Sequence, residues 1–221
     1  MTQITSFTFN DFQENTYIVF DETKECVIID PGCYSPQEKD ELAKFIDDMK
    51  LNPVKLLNTH CHIDHIFGNK FVADKYNLEL ETHKGEIIVL DFGKTYAQSY
   101  GYFAYEPSPE PTVFWNEGDT VSFGNTEMSV LFTPGHSPAS ICLYCEKEKY
   151  IVSGDVLFQG GIGRFDLPGG NRDTLMKSII DKLMPLPDDV QVYSGHGPAT
   201  TIGFERQHNP YIQMWERGEA F

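Results

Sequence analysis

The chain has 221 residues, 40% hydrophobic, 13% aromatic and 23% charged, which is the usage of an ordinary folded protein and excludes a disordered or collagenous one. Seventeen Lys and Arg stand against 33 Asp and Glu, and the resulting net charge of −16 repels a phosphate backbone or an anionic bilayer, so neither nucleic acid nor a membrane is expected as a partner. No run of about 18 apolar residues occurs, the opening MTQITSFTFNDFQENTY lacks the basic and apolar regions of a secretory leader, and five cysteines are an odd number; together these predict one domain over residues 1–221 in the reducing cytoplasm.

Runs rich in β-branched and aromatic residues, Ile4 to Phe9, Thr16 to Phe20 and Cys26 to Ile29, predict a β-meander that ends at Asp30-Pro31-Gly32. From Pro36 to Lys50, Leu42, Phe45, Ile46 and Met49 fall at i, i+3, i+4 and i+7 and mark one stripe of an amphipathic helix. Val54 to Leu57 reads as a buried strand that runs straight into Asn58-Thr59-His60-Cys61-His62-Ile63-Asp64-His65. A polar, histidine-dense stretch just past a strand sits where α/β folds keep their sites. Ile66 to Tyr76 predicts a helix and Leu78 to Glu81 a short strand. Lys84 to Pro111 reads as a helix followed by an aromatic, proline-ended segment with Tyr96, Tyr100, Tyr102, Phe103 and Tyr105. Plain core cover, a substrate-gating flap and a dimer contact all stay open for it, and with them both monomer and homodimer.

The second half repeats this grammar, with strands at Thr120 to Phe123, Met128 to Phe132, Ser140 to Tyr144 and Tyr150 to Ser153. A helix from about Arg172 to Leu183, with Asn171 as N-cap, precedes a final strand at Val190 to Tyr193. Strands then helix, twice over, predict two sheet-plus-helix halves packed face to face. Cys142 and Cys145 form a CxxC, but inside a strand their side chains point to opposite faces, which favours core packing over a redox or zinc pair.

Five of the seven histidines, His60, His62, His65, His136 and His196, lie in polar, glycine-flanked turns that follow strand-like runs. A fourth such turn, Ser153-Gly154-Asp155, supplies a carboxylate. Imidazole and carboxylate together suit zinc, iron or manganese, and glycine beside a ligand lets the backbone turn sharply and approach an ion. His83 and His208 stand isolated and read as ordinary residues.

The string THCHIDH, with Gly68 after it and TPGHS, SGD and SGHGP downstream in that order, resembles the metallo-β-lactamase fold superfamily. Within it the chain is most similar to the short, one-domain glyoxalase II-like, or hydroxyacylglutathione hydrolase-like, branch, also through the segments Asp155 to Asn171 and Gly195 to Arg206. The resemblance implies an α/β (α+β) fold, a four-layer αβ/βα sandwich with its site at one edge. It assigns one metal to His60, His62 and His136 and a second to Asp64, His65 and His196, with Asp155 bridging. Seven N and O ligands are too many for one zinc and suit two divalent ions sharing a carboxylate and a hydroxide; zinc is the expected metal, and the same ligands accept iron or manganese. The implied reaction is hydrolysis of a small-molecule thioester, S-lactoylglutathione or a related hydroxyacyl-thiol ester, by the bridging hydroxide. Asp64 and Asp155 are its catalytic residues, Asp64 orienting the nucleophile.

Long glyoxalase II enzymes add a C-terminal helical domain that contacts glutathione, whereas here about 20 residues follow Thr201, so that pocket is not carried over. Arg164 and Arg206 are the candidate substrate-binding cations, each offering a bidentate fork to a carboxylate, with a structural ion pair as the alternative. Phe165 stands where relatives often have a small polar residue, and Cys61 reads as a small filler with a thiolate ligand as the alternative. A rival on the same fold is a mononuclear Fe(II) persulfide dioxygenase, whose iron His60, His136 and Asp155 would hold. The complete second ligand set favours the hydrolase.

Overall fold

Inner strands such as Glu14–Phe20 and Tyr150–Gly154 are buried along their whole length, so both faces of each sheet are covered there. The computed structural model describes residues 1–221. Strands β1 (Gln3–Phe9), β2 (Glu14–Phe20), β3 (Glu25–Ile29), β4 (Asn52–Leu57), β5 (Leu80–Thr82) and β6 (Pro111–Phe114) follow one another across a first sheet. The meander β1 to β3 is antiparallel, as expected, and β3 to β6 are parallel. Helices make the crossovers that parallel strands require: α1 (Pro36–Met49), then α2 (Ile63–Ile66) with α3 (Asn69–Tyr76), then α4 (Ile87–Asp91) with α5 (Gly93–Ser99).

The second sheet contains β7 (Thr120–Phe123), β8 (Thr126–Phe132), β9 (Ile141–Cys145), β10 (Tyr150–Gly154), β13 (Gln191–Ser194) and β14 (Thr200–Thr201), in the order β14-β13-β10-β9-β8-β7. Between β10 and β13 come a small hairpin, β11 (Leu157–Phe158) with β12 (Gly161–Ile162), and α6 (Arg172–Ser178), which a π-helical turn extends over Ile179–Leu183. Helices α7 (Ile202–His208) and α8 (Pro210–Glu216) close the chain.

Tyr17, Val19 and Ile29 of the first sheet meet Val130, Leu143 and Val152 of the second in a central core. The outer face of the first sheet, with Ile18, Ile28 and Leu56, packs on Leu42 and Ile46 of α1 and Val72 of α3. The outer face of the second, with Cys142, Ile151 and Val192, packs on Leu175, Ile179 and Ile202. The layers run helix, sheet, sheet, helix, the expected αβ/βα sandwich. The CxxC splits as strand geometry requires, Cys145 into the central core and Cys142 into an outer one. No helix is long and apolar enough to cross a membrane.

Three local readings shift. The helix expected from Ile66 to Tyr76 is two helices, because a Cβ on Gly68 would lie 2.8 Å from the Pro31 carbonyl oxygen and the chain turns there, with Gly68 N–H donating to that oxygen at 2.7 Å. The strand expected at Leu78 to Glu81 begins at Leu80, since Asn77 ends α3 in a left-handed conformation (φ 53) and Leu78 N–H donates to Ala73. Residues 84–111 form a 3-10 turn (Lys84–Glu86), α4, α5 and an extended return to β6, a strand of four residues too short to carry a pattern.

Candidate active site

Parallel pairing brings the histidine-bearing turns together. The β10–β13 register pairs Gly154 with Ser194, so Asp155 and His196 leave the sheet side by side. The β3–β4 register pairs Ile29 with Leu57, placing Asp30 beside the turn that begins at Asn58. The two sheets are tied at this edge by Asn15, whose N–H donates to Gly195 O at 2.7 Å and whose amide donates to Ser194 O and Gly197 O. His60 and His62 leave β4, Asp64 and His65 lie on α2, and His136 lies between β8 and β9.

Hydrogen-bond partners assign the ring protons. His136 Nδ1–H donates to Arg164 O at 2.7 Å, His196 Nδ1–H to Phe12 O at 3.0 Å, and His65 Nδ1–H to Asp30 Oδ2 at 3.2 Å. Thr59 gives its hydroxyl proton to Asp30, so its oxygen accepts from His60 Nδ1 at 3.1 Å. Each of these rings therefore leaves Nε2 as the nitrogen free to meet an ion. His62 differs, turning Nδ1 to within 2.8 Å of His136 Nε2.

These atoms form two trios. The ligand atoms of His60, His62 and His136 lie within 4.8 Å of one another, as do those of Asp64, His65 and His196. Asp155 faces both, with Oδ2 at 3.4 Å from His136 Nε2 and 3.5 Å from His196 Nε2, and Oδ1 at 3.4 Å from His65 Nε2. His60 Nε2, His65 Nε2 and Asp155 Oδ1 are buried without hydrogen-bond partners. Unsatisfied buried donors and acceptors are rare and costly, and here they converge where a cation would satisfy them all. The residues fit a metal centre. Asp30, His60 and His65 also lie within 4.8 Å of one another, but Asp30 already accepts from Thr59 N–H, the Thr59 hydroxyl, the Asn58 amide and His65, so it orients ligands rather than serving as one.

Electrostatics divide the two trios. Burial, reinforced by neighbouring imidazoles, holds His60 well below the ordinary histidine value and His62 down to about 3, and burial also lowers His136. Burial acts the same way on His65 and His196, but the carboxylates of Asp155 and Asp64 outweigh it, raising His65 well above its ordinary value and His196 to about 10. Conversely, burial works to raise Asp64 and Asp155, but the charge of His65 and bonds from His196 hold both below the usual carboxylate range. One trio is thus three neutral imidazoles and the other an ion-paired cluster.

Two buried carboxylates that carry no motif hold these turns. Asp30 is one. The other is Glu86, fully buried, which accepts from Cys61 N–H at 2.8 Å, Ala139 N–H at 2.8 Å and the Ser137 hydroxyl at 2.7 Å, so a single side chain clamps both the His60–His62 turn and the His136 turn. Two glycines are needed beside ligands. Gly135 has φ +132 and a Cβ there would lie 2.2 Å from the Leu175 nitrogen, while a Cβ on Gly195 would meet Asp155 Oδ1 at 2.1 Å. Cys61 is buried with its sulfur 3.9 Å from the Thr82 hydroxyl, outside both trios.

The trios open into a cleft of ≈ 510 Å³ in which His62, Asp64, His136, Asp155 and His196 form the polar floor. Arg164 lines it, its guanidinium paired with Asp166 at 3.0 and 3.1 Å. Arg206 is not brought there: it donates to the Met184 and Leu186 carbonyls and pairs with Asp188, so its place is structural. Neither His83 nor His208 reaches the cleft, as expected; His83 accepts from Gly85 N–H and stacks on Phe132, and His208 packs on Phe204. Ile88, Val89, Phe92, Tyr96 and Tyr100 of the 84–111 segment do line it, so that segment forms a wall of the site.

Residues 9–196 match the family model of the metallo-beta-lactamase superfamily. The chain is 37% identical over 201 residues to the probable metallo-hydrolase YqgX of Bacillus subtilis, covering 90% of this chain and 92% of that one. It is 35% identical over 202 residues to the hydroxyacylglutathione hydrolase GloC of Haemophilus influenzae, covering 91% and 93%. Among solved structures, the BLEG-1 B3 metallo-beta-lactamase superposes with a TM-score of 0.87 at 35% identity, covering 95% of this chain and 99% of that one. TTHA1623 in a di-iron-bound form superposes with a TM-score of 0.84 at 33% identity, covering 94% and 99%.

Proposed function

Because the chain belongs to the metallo-beta-lactamase superfamily, we propose that its seven-ligand site makes it a metal-dependent thioester hydrolase, loaded with two divalent ions. The observation that carries this reading is the sharing of Asp155 between two complete trios at the floor of an open cleft. The name of the GloC relative supports thioester chemistry, and the di-iron form of TTHA1623 supports a pair of ions. S-lactoylglutathione is the first substrate to try.

His60, His62 and His136 would hold one ion and Asp64, His65 and His196 the other, with Asp155 between them. When bound, divalent ions of this kind lower the pKa of water and polarise a carbonyl. Hydrolysis joins the oxygen of water to the carbonyl carbon and breaks the C–S bond, releasing a carboxylate, a thiol and one proton. Asp64, kept ionised and 3.1 Å from His196 Nε2, is the acceptor that orients the attacking water. The bonds from His65 to Asp30 and from His136 to Arg164 O hold the ligand rings in place through the reaction. A thiolate leaves without a strong general acid, which accords with His83 and His208 lying outside the cleft.

The test is metal content per chain, run beside thiol release from S-lactoylglutathione and oxygen uptake with glutathione persulfide. Two ions per chain with thiol release and no oxygen uptake is the expected result. One iron per chain with oxygen consumption overturns it in favour of the dioxygenase.

A further inference from the structure

The walls of the cleft differ sharply from its floor. Beside the ligands the lining holds Ile88, Phe92, Tyr96 and Tyr100 from the α4–α5 segment, with Phe158 and Leu167 from the second half of the chain. Ile88, Phe92 and Tyr100, which line the cleft, are 59%, 51% and 56% exposed, so its apolar lining reaches the surface. The only guanidinium or ammonium on the lining is Arg164, and Asp166 already engages it at Nε and Nη2. A tripeptide thiol carrying two carboxylates would find one neutralised cation and two tyrosine hydroxyls on a chain of net charge −16.

We infer that this cleft selects thioesters whose non-reacting part is apolar, and that the α4–α5 wall is the element that selects them. The inference rests on the thioester reading and narrows its substrate. Burial of an aliphatic or aromatic group against Phe92, Ile88 and Phe158 removes apolar surface of both partners from water. Each methylene so buried favours binding by about fourfold. The apolar group enters from the acyl side or the thiol side of the ester, and the assay separates the two.

The acyl arm compares acetyl, hexanoyl and benzoyl thioesters of N-acetylcysteamine; the thiol arm compares the lactoyl thioester of benzyl mercaptan with S-lactoylglutathione. We expect kcat/KM to rise by about tenfold or more along at least one arm, and Phe92→Asp or Ile88→Glu, both at exposed positions, to collapse that preference. A flat series on both arms, or S-lactoylglutathione as the best substrate with its KM raised by Arg164→Ala, overturns the inference while leaving thioester hydrolysis standing. If no thioester is cleaved, the hydrolase reading fails by itself, and calorimetry with the non-hydrolysable S-hexyl and S-methyl thioethers of N-acetylcysteamine still decides. Tighter binding of the hexyl compound, lost in Phe92→Asp, supports an apolar ligand; equal binding overturns it.

Discussion

Nδ1 of His62 lies 2.8 Å from Nε2 of His136, and His136 has already committed its one proton to the Arg164 carbonyl. Both rings are neutral, so the proton between them sits on His62 Nδ1 when no ion is bound. An ion bound by this trio needs that nitrogen bare. Loading is therefore expected to move the His62 proton from Nδ1 to Nε2 with no net release. Imidazole nitrogen NMR checks this: His62 should switch tautomer on metal addition while His136 keeps its own, and an unchanged His62 would refute the assignment.

The second trio should respond to pH over a higher range than the first. His196, raised to about 10, and His65, raised by its carboxylate neighbours, carry protons at pH 7 that a metal must displace. Affinity there should climb by up to about tenfold per pH unit for each proton lost, until pH passes the raised values. The His60, His62 and His136 trio, with its lowered values, should bind almost independently of pH above neutrality and lose affinity only in acid. Calorimetric titration at pH 7 in buffers of different ionisation enthalpy counts the protons; equal counts for the two binding events would contradict this.

Asp30→Asn keeps the size of the side chain but turns an amide toward groups that now donate to a carboxylate. Facing an N–H, His65 is expected to adopt the other tautomer, with its proton on the nitrogen a metal requires. Affinity for one of two ions should fall by about 10- to 100-fold while the circular dichroism spectrum is retained. Stepwise metal titration checks it, and an unaltered second step would count against Asp30 as the orienting group.

Glu86→Ala removes the acceptor for Cys61 N–H, Ala139 N–H and the Ser137 hydroxyl at once. Each buried donor left without a partner costs about 1–3 kcal/mol, so the melting temperature should drop clearly. The first trio should also bind its ion about tenfold more weakly, because two of its turns lose their common clamp. Ser137→Ala, which frees a single bond, should show a smaller loss of stability. If Glu86→Ala melts and binds like the parent protein, the clamp is unimportant.

Arg206→Ala should cost about 1–2 kcal/mol of stability through the lost bonds to the Met184 and Leu186 carbonyls. Its kcat/KM for any thioester should match that of the parent, since the side chain is remote from the cleft lining. Chemical denaturation and steady-state kinetics together check this; an altered KM would return Arg206 to the substrate.

The candidate ligands were legible because they are locally dense. His60, His62, Asp64 and His65 fall within six residues, and glycine-flanked turns after apolar runs mark His136, Asp155 and His196. The sandwich was legible for a similar reason, since strand alternation and the stripe of Leu42, Phe45, Ile46 and Met49 are periodic signals within one segment. What stayed hidden acts at long range. Glu86 meets its partners 25 and 53 residues away along the chain, and nothing near it in sequence distinguishes it from a solvated glutamate. Asp30 was visible only as the end of a meander, yet parallel pairing of β3 with β4 turns it into the support of His65 and Thr59.

The two candidate arginines show the same division. By residue type Arg164 and Arg206 are equivalent forks, and packing alone sends one to the cleft rim and the other to the carbonyls that end the π-helical turn. The aromatic segment after Lys84 likewise has a composition that suits cover, flap or interface, and only the seating of α4 and α5 against α2 makes it a wall of the site. Sequence alone determined the candidate donor groups and the order of the layers, because ligand chemistry and amphipathic periodicity are properties of short segments. Tertiary structure decided which buried carboxylates orient those donors, which arginine lines the cleft and how apolar the cleft is, because these depend on hydrogen bonds and burial between residues that only the folded chain brings together.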